Sequence, residues 1–214
     1  IRLTALASRI ASKPAADKQR PQGLLRRTMR MPLAWILTGG MGLQSTLIYT
    51  AAAWMPSYWR AQGMSFETTG IWIFVFLFSG LPASVMTAKF FKVCPNDRTA
   101  GAVLTLLYVL GLAGWLAGGA WLLPASVAAG AAQGAMLSAA FLLMASHTKG
   151  SQAMLAVSTL SQGIGYLAAG AGPFIFGRLL QATGGWTAPF VFFTAVILLW
   201  GLCVRLADTH QTID

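Results

Sequence analysis

Residues 121–146 read WLLPASVAAGAAQGAMLSAAFLLMAS, a run without one charged side chain. A hydrocarbon core of about 30 Å is crossed by roughly 20 apolar residues of helix. The stretch therefore predicts a transmembrane helix with one amide, Gln133, near its middle. Working outward, five further stretches have the same character: 33–57, 68–91, 99–119, 154–178 and 187–206. Only short turns separate them. The predicted fold class is an all-α membrane protein of six transmembrane helices over residues 32–206. A cytoplasmic basic linker precedes them over 1–31, and a short cytoplasmic tail follows over 207–214.

Composition points the same way. The chain is 56% hydrophobic and 9% charged, whereas a soluble domain carries about 25% charged residues. Too few charges are present to cover a water-facing surface, so lipid is the expected solvent. The chain begins with Ile1 rather than Met, which leads us to expect a piece of a longer protein. Cys94 and Cys203 are too few for a disulfide framework and read as reduced and inert.

The net charge of +10 would suggest nucleic acid if it were evenly spread. It is not. Arg2, Arg9, Lys13, Lys18, Arg20, Arg26, Arg27 and Arg30 precede the first span. Lys89, Lys92 and Arg98 lie between the second and third, Lys149 between the fourth and fifth, and Arg205 ends the sixth. With six spans, all of these fall on one side of the membrane, and only Arg60 and Arg178 fall on the other. This is the positive-inside pattern, and it places both termini in the cytoplasm of a multi-pass cell (inner) membrane protein. The basic segment is expected to touch anionic lipid heads. It has no interleaved aromatics for base stacking, so no nucleic-acid partner is expected.

Polarity within the spans is uneven. The third span has only Thr105 and Tyr108 as interior polar groups and the sixth only Thr194, which marks them as lipid-facing or supporting helices. The first, fourth and fifth hold Gln44, Gln133 and Gln162 at about mid-depth, joined by Ser45, Ser138, Ser158, Ser161, Tyr49 and Tyr166. An amide in hydrocarbon must find partners, so these faces are expected to point into protein or water and to line a shared cavity. Two readings of each glutamine stay open: a hydrogen bond between helices, or a contact to a small polar solute. Gln44 and Gln133 would then bind the solute from two helices, Gln162 and Tyr166 would close the site, and Tyr49 would stack on a planar solute or cap it on the outer side. Gly165, Gly172 and Pro173 in the fifth span also have two readings, tight helix packing or a bend that gates a pathway.

The six spans divide into two triplets, and the first helix of each carries its glutamine at a similar depth. One triplet starts inside and the other outside, which is the arrangement of an inverted repeat of three plus three helices. No Asp or Glu lies inside a span, so an intramembrane carboxylate relay is not expected within these residues. His147 and His210 read as solvated surface residues. No metal-ligand spacing, phosphate-cradling loop or nucleophile–base pair is present in the sequence, so neither an enzyme nor a cofactor is expected.

Two runs carry a resemblance. The first is Pro32-Leu33-Ala34-Trp35, Gly42-Leu43-Gln44-Ser45, Tyr49, Ala53-Trp54-Met55-Pro56 and Gly63-Met64-Ser65. The second is Leu160-Ser161-Gln162, Gly165-Tyr166, Ala168, Gly172-Pro173, Gly177 and Gly184-Gly185-Trp186. In order and spacing they resemble the seventh and eleventh helices, with their outer turns, of the cyanate/nitroimidazole transporter family in the major facilitator superfamily. Asn96-Asp97-Arg98 resembles part of that superfamily's cytoplasmic loop motif, with fewer basic residues than usual. The resemblance implies a twelve-helix transporter of which residues 32–206 are the C-terminal half. It implies alternating access with an N-terminal six-helix half, or a second copy, as partner. A small polar or anionic solute, cyanate- or nitroimidazole-like, would be the substrate. The rival readings are a channel or pore subunit and a non-transporting membrane assembly protein. A pore would show polar residues along the full length of one helix face, whereas here they cluster at mid-depth.

Overall fold

A computed structural model of the protein describes residues 21–208 and 212–213. These form seven α-helices: α1 Pro21–Thr28, α2 Pro32–Ala61, α3 Phe66–Val93, α4 Asp97–Ala117, α5 Leu122–Ser146, α6 Ser151–Thr183 and α7 Thr187–Ala207. One 3-10 turn, Gly119–Trp121, leads into α5. At 1.5 Å per residue even the shortest of α2 to α7 is roughly 30 Å long, the thickness of a bilayer's apolar core. Five helical segments are long and apolar enough to cross a membrane: Phe66–Val93, Asp97–Ala117, Gly119–Ser146, Ser151–Thr183 and Thr187–Ala207. α2 is long enough at 30 residues, but Thr38, Gln44, Ser45, Thr46 and Thr50 dilute its apolar character.

Local chemistry sets the helix ends. The Ser65 side chain caps α3 by accepting from the Thr68 N–H at 3.3 Å. Asn96 caps α4 by accepting from Thr99 N–H at 2.8 Å. Each satisfies a donor that the helix itself leaves unpaired. α6 stops at Gly184, whose φ of +64° is a left-handed conformation that glycine adopts without steric cost. The residues read as linker are helical over Pro21–Thr28, and Leu24 and Thr28 of that helix are buried. The reading of residues 1–20 lies outside the described residues.

The two most extensive packings are α3 with α5 and α2 with α6. Both are made close by small residues. Gly130 sits against the Phe76 carbonyl and Gly134 against the Gly80 backbone, so α3 and α5 touch main chain to main chain. On the other side Gly42 faces Gly165, Gly172 lies under Thr46 and Thr50, and Gly177 lies under the Trp54 ring. The remaining larger contacts are α4 with α5, α2 with α7, α4 with α7 and α2 with α5. Exchange α2, α3 and α4 for α5, α6 and α7, and this set of six pairs maps onto itself.

The end of the bundle that holds the α5–α6 turn is tied by the chain's last residues. Ile213 is fully buried; its N–H donates to the His147 carbonyl at 2.7 Å, and its carbonyl accepts from Lys149 N–H at 2.9 Å. Asp208 pairs with Arg98 at 2.8 Å. His147, expected to be solvated, is buried beneath this strap, and its Nδ1 lies 2.8 Å from the Leu143 carbonyl. His210 lies outside the described residues.

Candidate functional site

The mid-depth amides arise from two helices that cross. Gln44 is in the middle of α2 and Gln133 in the middle of α5, and both are buried. The Gln133 Nε2 donates to the Gln44 side-chain oxygen at 3.1 Å and to the Gln44 carbonyl at 3.0 Å. The Gln44 Nε2 in turn donates to Ser45 Oγ at 2.7 Å. The result is a short relay, Gln133 to Gln44 to Ser45, spanning the α2–α5 crossing. The Gln133 Oε1 is buried with no hydrogen-bond partner among the described residues. A buried acceptor in that condition costs about 1–3 kcal/mol, so the pair holds unused hydrogen-bonding capacity at the core of the bundle.

Gln162, Tyr166 and Tyr49 are placed differently. Leu155, Thr159, Gln162 and Tyr166 recur at helical spacing and share one face of α6. Leu155, Thr159 and Gln162 are exposed, and Tyr166 is half-buried. Tyr49 on α2 is exposed and lies in the neighbourhood of Tyr166 on α6. The structure thus brings Gln44 and Gln133 into direct contact, and Tyr49 near Tyr166, while Gln162 faces the surface of the six-helix bundle.

The glycines and the proline of α6 form its packed seam with α2. Gly165 and Gly172 are buried at that contact, and Pro173 lies inside an unbroken helix from Ser151 to Thr183. Proline removes one rung of the helical ladder, and α2 packs against this turn of α6. The Trp54 indole N–H donates to the Pro173 carbonyl at 2.8 Å, and the Trp54 ring stacks on Phe176 with centroids 5.7 Å apart. Further toward the α6 start, Thr38 and Ser161 share a hydrogen bond of 3.2 Å between the same two helices. The Thr50 hydroxyl beside Gly172 is buried and unpartnered among the described residues. Trp54 and Thr38 were not singled out by sequence reasoning as site residues. Ten and six residues from Gln44, they do not recur at helical spacing from it, and tryptophan and threonine in an apolar helix ordinarily read as packing.

No group of three or more His, Cys, Asp and Glu side chains placed to hold a metal occurs among the described residues. The side chains gathered here offer neutral donors, acceptors and aromatic faces.

No protein-family model matches the chain. It is 35% identical over 171 residues to the uncharacterized transporter YycB of Bacillus subtilis (strain 168), an alignment covering 79% of this chain and 42% of that protein. It is 23% identical over 181 residues to the 2-nitroimidazole transporter of Escherichia coli (strain K12), covering 83% of this chain and 46% of that protein. The chain spans less than half the length of either relative. Both relatives are named as transporters. Together with the membrane-length apolar helices, they support a membrane transporter family for this chain.

Proposed function

We propose that this chain is the C-terminal six-helix half of a secondary transporter of the major facilitator superfamily, with α2 spanning the membrane alongside the other five helices. It moves a small polar or anionic solute, cyanate- or nitroimidazole-like, by alternating access against an N-terminal half or a second copy. The chain spans less than half of relatives named as transporters, and one of these is named for 2-nitroimidazole. The exchange-symmetric packing of the two helix triplets supports an inverted repeat.

The single observation that carries the reading is the exposed face of α6. Gln162 and Thr159 lie exposed on a helix long and apolar enough to cross a membrane. Hydrocarbon gives an amide no partners, so such a face needs water or protein against it. A partner half that closes over α6 supplies both a cover and an aqueous path. Gln162, Tyr166 and Tyr49 then meet the solute from this half, and the Gln44–Gln133 relay lies behind them with a free acceptor to offer. Gly165, Gly172 and Pro173 form the seam along which α6 shifts on α2 during the cycle. Both termini lie in the cytoplasm of the cell (inner) membrane, on the side of most lysines and arginines.

Reconstitution tests this. The chain is placed in liposomes alone and together with an N-terminal half, and uptake of labelled 2-nitroimidazole and of cyanate is measured. Saturable uptake that requires the second half is expected. Saturable uptake by a demonstrably monomeric chain would overturn the reading.

A further inference from the structure

A groove of about 820 Å³ runs between α4 and α7. Its floor is the close crossing of the two helices, where Gly101 meets Val204 and Gly201 meets Thr105. The Thr105 hydroxyl is turned back to the Gly101 carbonyl at 2.8 Å, so the floor presents no free polar group there. The walls are apolar and outward-facing: Val103 and Leu106 on α4, Leu198 and Leu202 on α7, all exposed. One end of the groove is different. There Arg98 and Arg205, one from each helix, stand at its mouth.

The dimensions match one leaflet. From Arg98 to Val109 the groove follows eleven helical steps, roughly 16 Å at 1.5 Å each, about half the thickness of an apolar core. The continuation of the same seam toward the opposite face, past Leu198, is lined by Tyr58, Leu116, Trp186, Thr187 and Val191 and has no charged residue. The cations are therefore confined to one end. Arg98 is held at the mouth by Asp208, at 2.8 Å, yet its side chain stays 55% exposed. Arg205 is exposed and has no ionic partner among the described residues.

We propose that this groove is a site for one anionic phospholipid of the leaflet on the basic side, with an acyl chain along Val103, Leu106, Leu198 and Leu202 and the phosphate at Arg205 and Arg98. An aqueous phosphate ester would use only the two guanidinium groups and leave the apolar slot bare, whereas a lipid uses both. Basic pockets between membrane helices on the cytoplasmic side suit anionic headgroups for this reason. The assignment of this end to the cytoplasm rests on the topology proposed above. The lipid site is read by binding and not by transport, so its failure would leave the transporter reading standing.

The full chain in detergent is titrated with phosphatidylglycerol and with phosphatidylcholine of the same acyl chains, and bound lipid is counted by native mass spectrometry. Phosphatidylglycerol is expected to be retained about tenfold better, since each basic side chain near an anionic headgroup contributes a several-fold preference. Arg205→Gln, which leaves the Arg98–Asp208 pair intact, should cut that preference several-fold, and adding Arg98→Gln should abolish it. Val103→Trp fills the slot and keeps both arginines, so it should reduce retention of both lipids. Lys89→Gln with Lys92→Gln, at the same end but outside the groove, should change nothing. Circular dichroism of each variant separates unfolding from loss of the site. Equal retention of the two lipids by the unaltered chain, or a preference that survives loss of both arginines, would overturn the proposal. So would competition by soluble glycerol phosphate, which would identify an aqueous ligand instead.

Discussion

The Gln133 side-chain amide donates to both oxygens of Gln44, the side-chain oxygen at 3.1 Å and the main-chain oxygen at 3.0 Å. The two residues occupy matching places, each near the middle of the first helix of a three-helix set. The α2–α5 crossing maps onto itself when the sets are exchanged. A contact on such an axis joins like to like, though it leaves the Gln133 Oε1 without a partner among the described residues.

This pair should be coupled. Gln133→Leu alone leaves the Gln44 side-chain oxygen buried without that donor, and Gln44→Leu alone leaves the Gln133 amide only the main-chain carbonyl at position 44 as acceptor. Each should destabilise by about 1–2 kcal/mol, while the double replacement should cost less than the sum, because the two amides no longer leave each other unpaired. Unfolding in mixed micelles measures the cycle. Additive effects would show that the contact carries no energy. In a complete transporter, Gln→Ala at Gln44, Gln133 or Gln162 should impair uptake more than it impairs expression.

The glycines should split into two classes. Gly134→Ala places a methyl group against the Gly80 backbone, and with main chain opposite there is no rotamer to yield. A loss of about 1–3 kcal/mol is expected. Gly163 on α6 has open space around its Cα, so Gly163→Ala should be neutral or raise stability by up to about 1 kcal/mol. Thermal unfolding of the two variants side by side reads the difference.

Trp54→Phe tests the α2–α6 seam at Pro173. The ring contact with Phe176 survives in part, and the hydrogen bond to the Pro173 carbonyl is lost. A cost of about 1 kcal/mol is expected. If α6 moves on α2 during transport, the maximal rate should change more than the apparent affinity. An unaltered rate with the same stability loss would confine Trp54 to packing.

The C-terminal strap should protect the α5–α6 turn. Ile213 is fully buried and bonds at both of its main-chain groups to His147 and Lys149. Ile213→Asp buries a carboxylate in place of an apolar side chain. Proteolysis after Lys149 should accelerate at least severalfold in the variant, and an unchanged cleavage rate would show that the strap does not hold the turn.

Topology has its own check. Ser57 and Thr183 are exposed near the ends of α2 and α6. With Cys94 and Cys203 replaced, a cysteine at either position should react with a membrane-impermeant reagent from outside the cell. Labelling only from the cytoplasmic side would reverse the orientation.

The all-α class and the five helical segments long and apolar enough to cross a membrane were legible in the sequence because their signal is local. A charge-free run such as 121–146 has one stable form in hydrocarbon, a helix that satisfies its own backbone, and no distant residue changes that. The caps at Ser65 and Asn96 and the stop at Gly184 are equally local. Partnership was not legible. Gln44, Gln133 and Gln162 look alike as amides in apolar helices. Which of them bond to one another depends on how helices separated by tens of residues are rotated, and rotation is set by where backbones approach most closely. Gly42 against Gly165 and Gly80 against Gly134 make those approaches. They leave Gln44 and Gln133 face to face and turn Gln162 outward. Likewise, alternation of the spans let the sequence predict Arg98 and Arg205 on one side of the membrane. Only the tertiary structure decided that they share one groove, because that requires α4 to pack on α7.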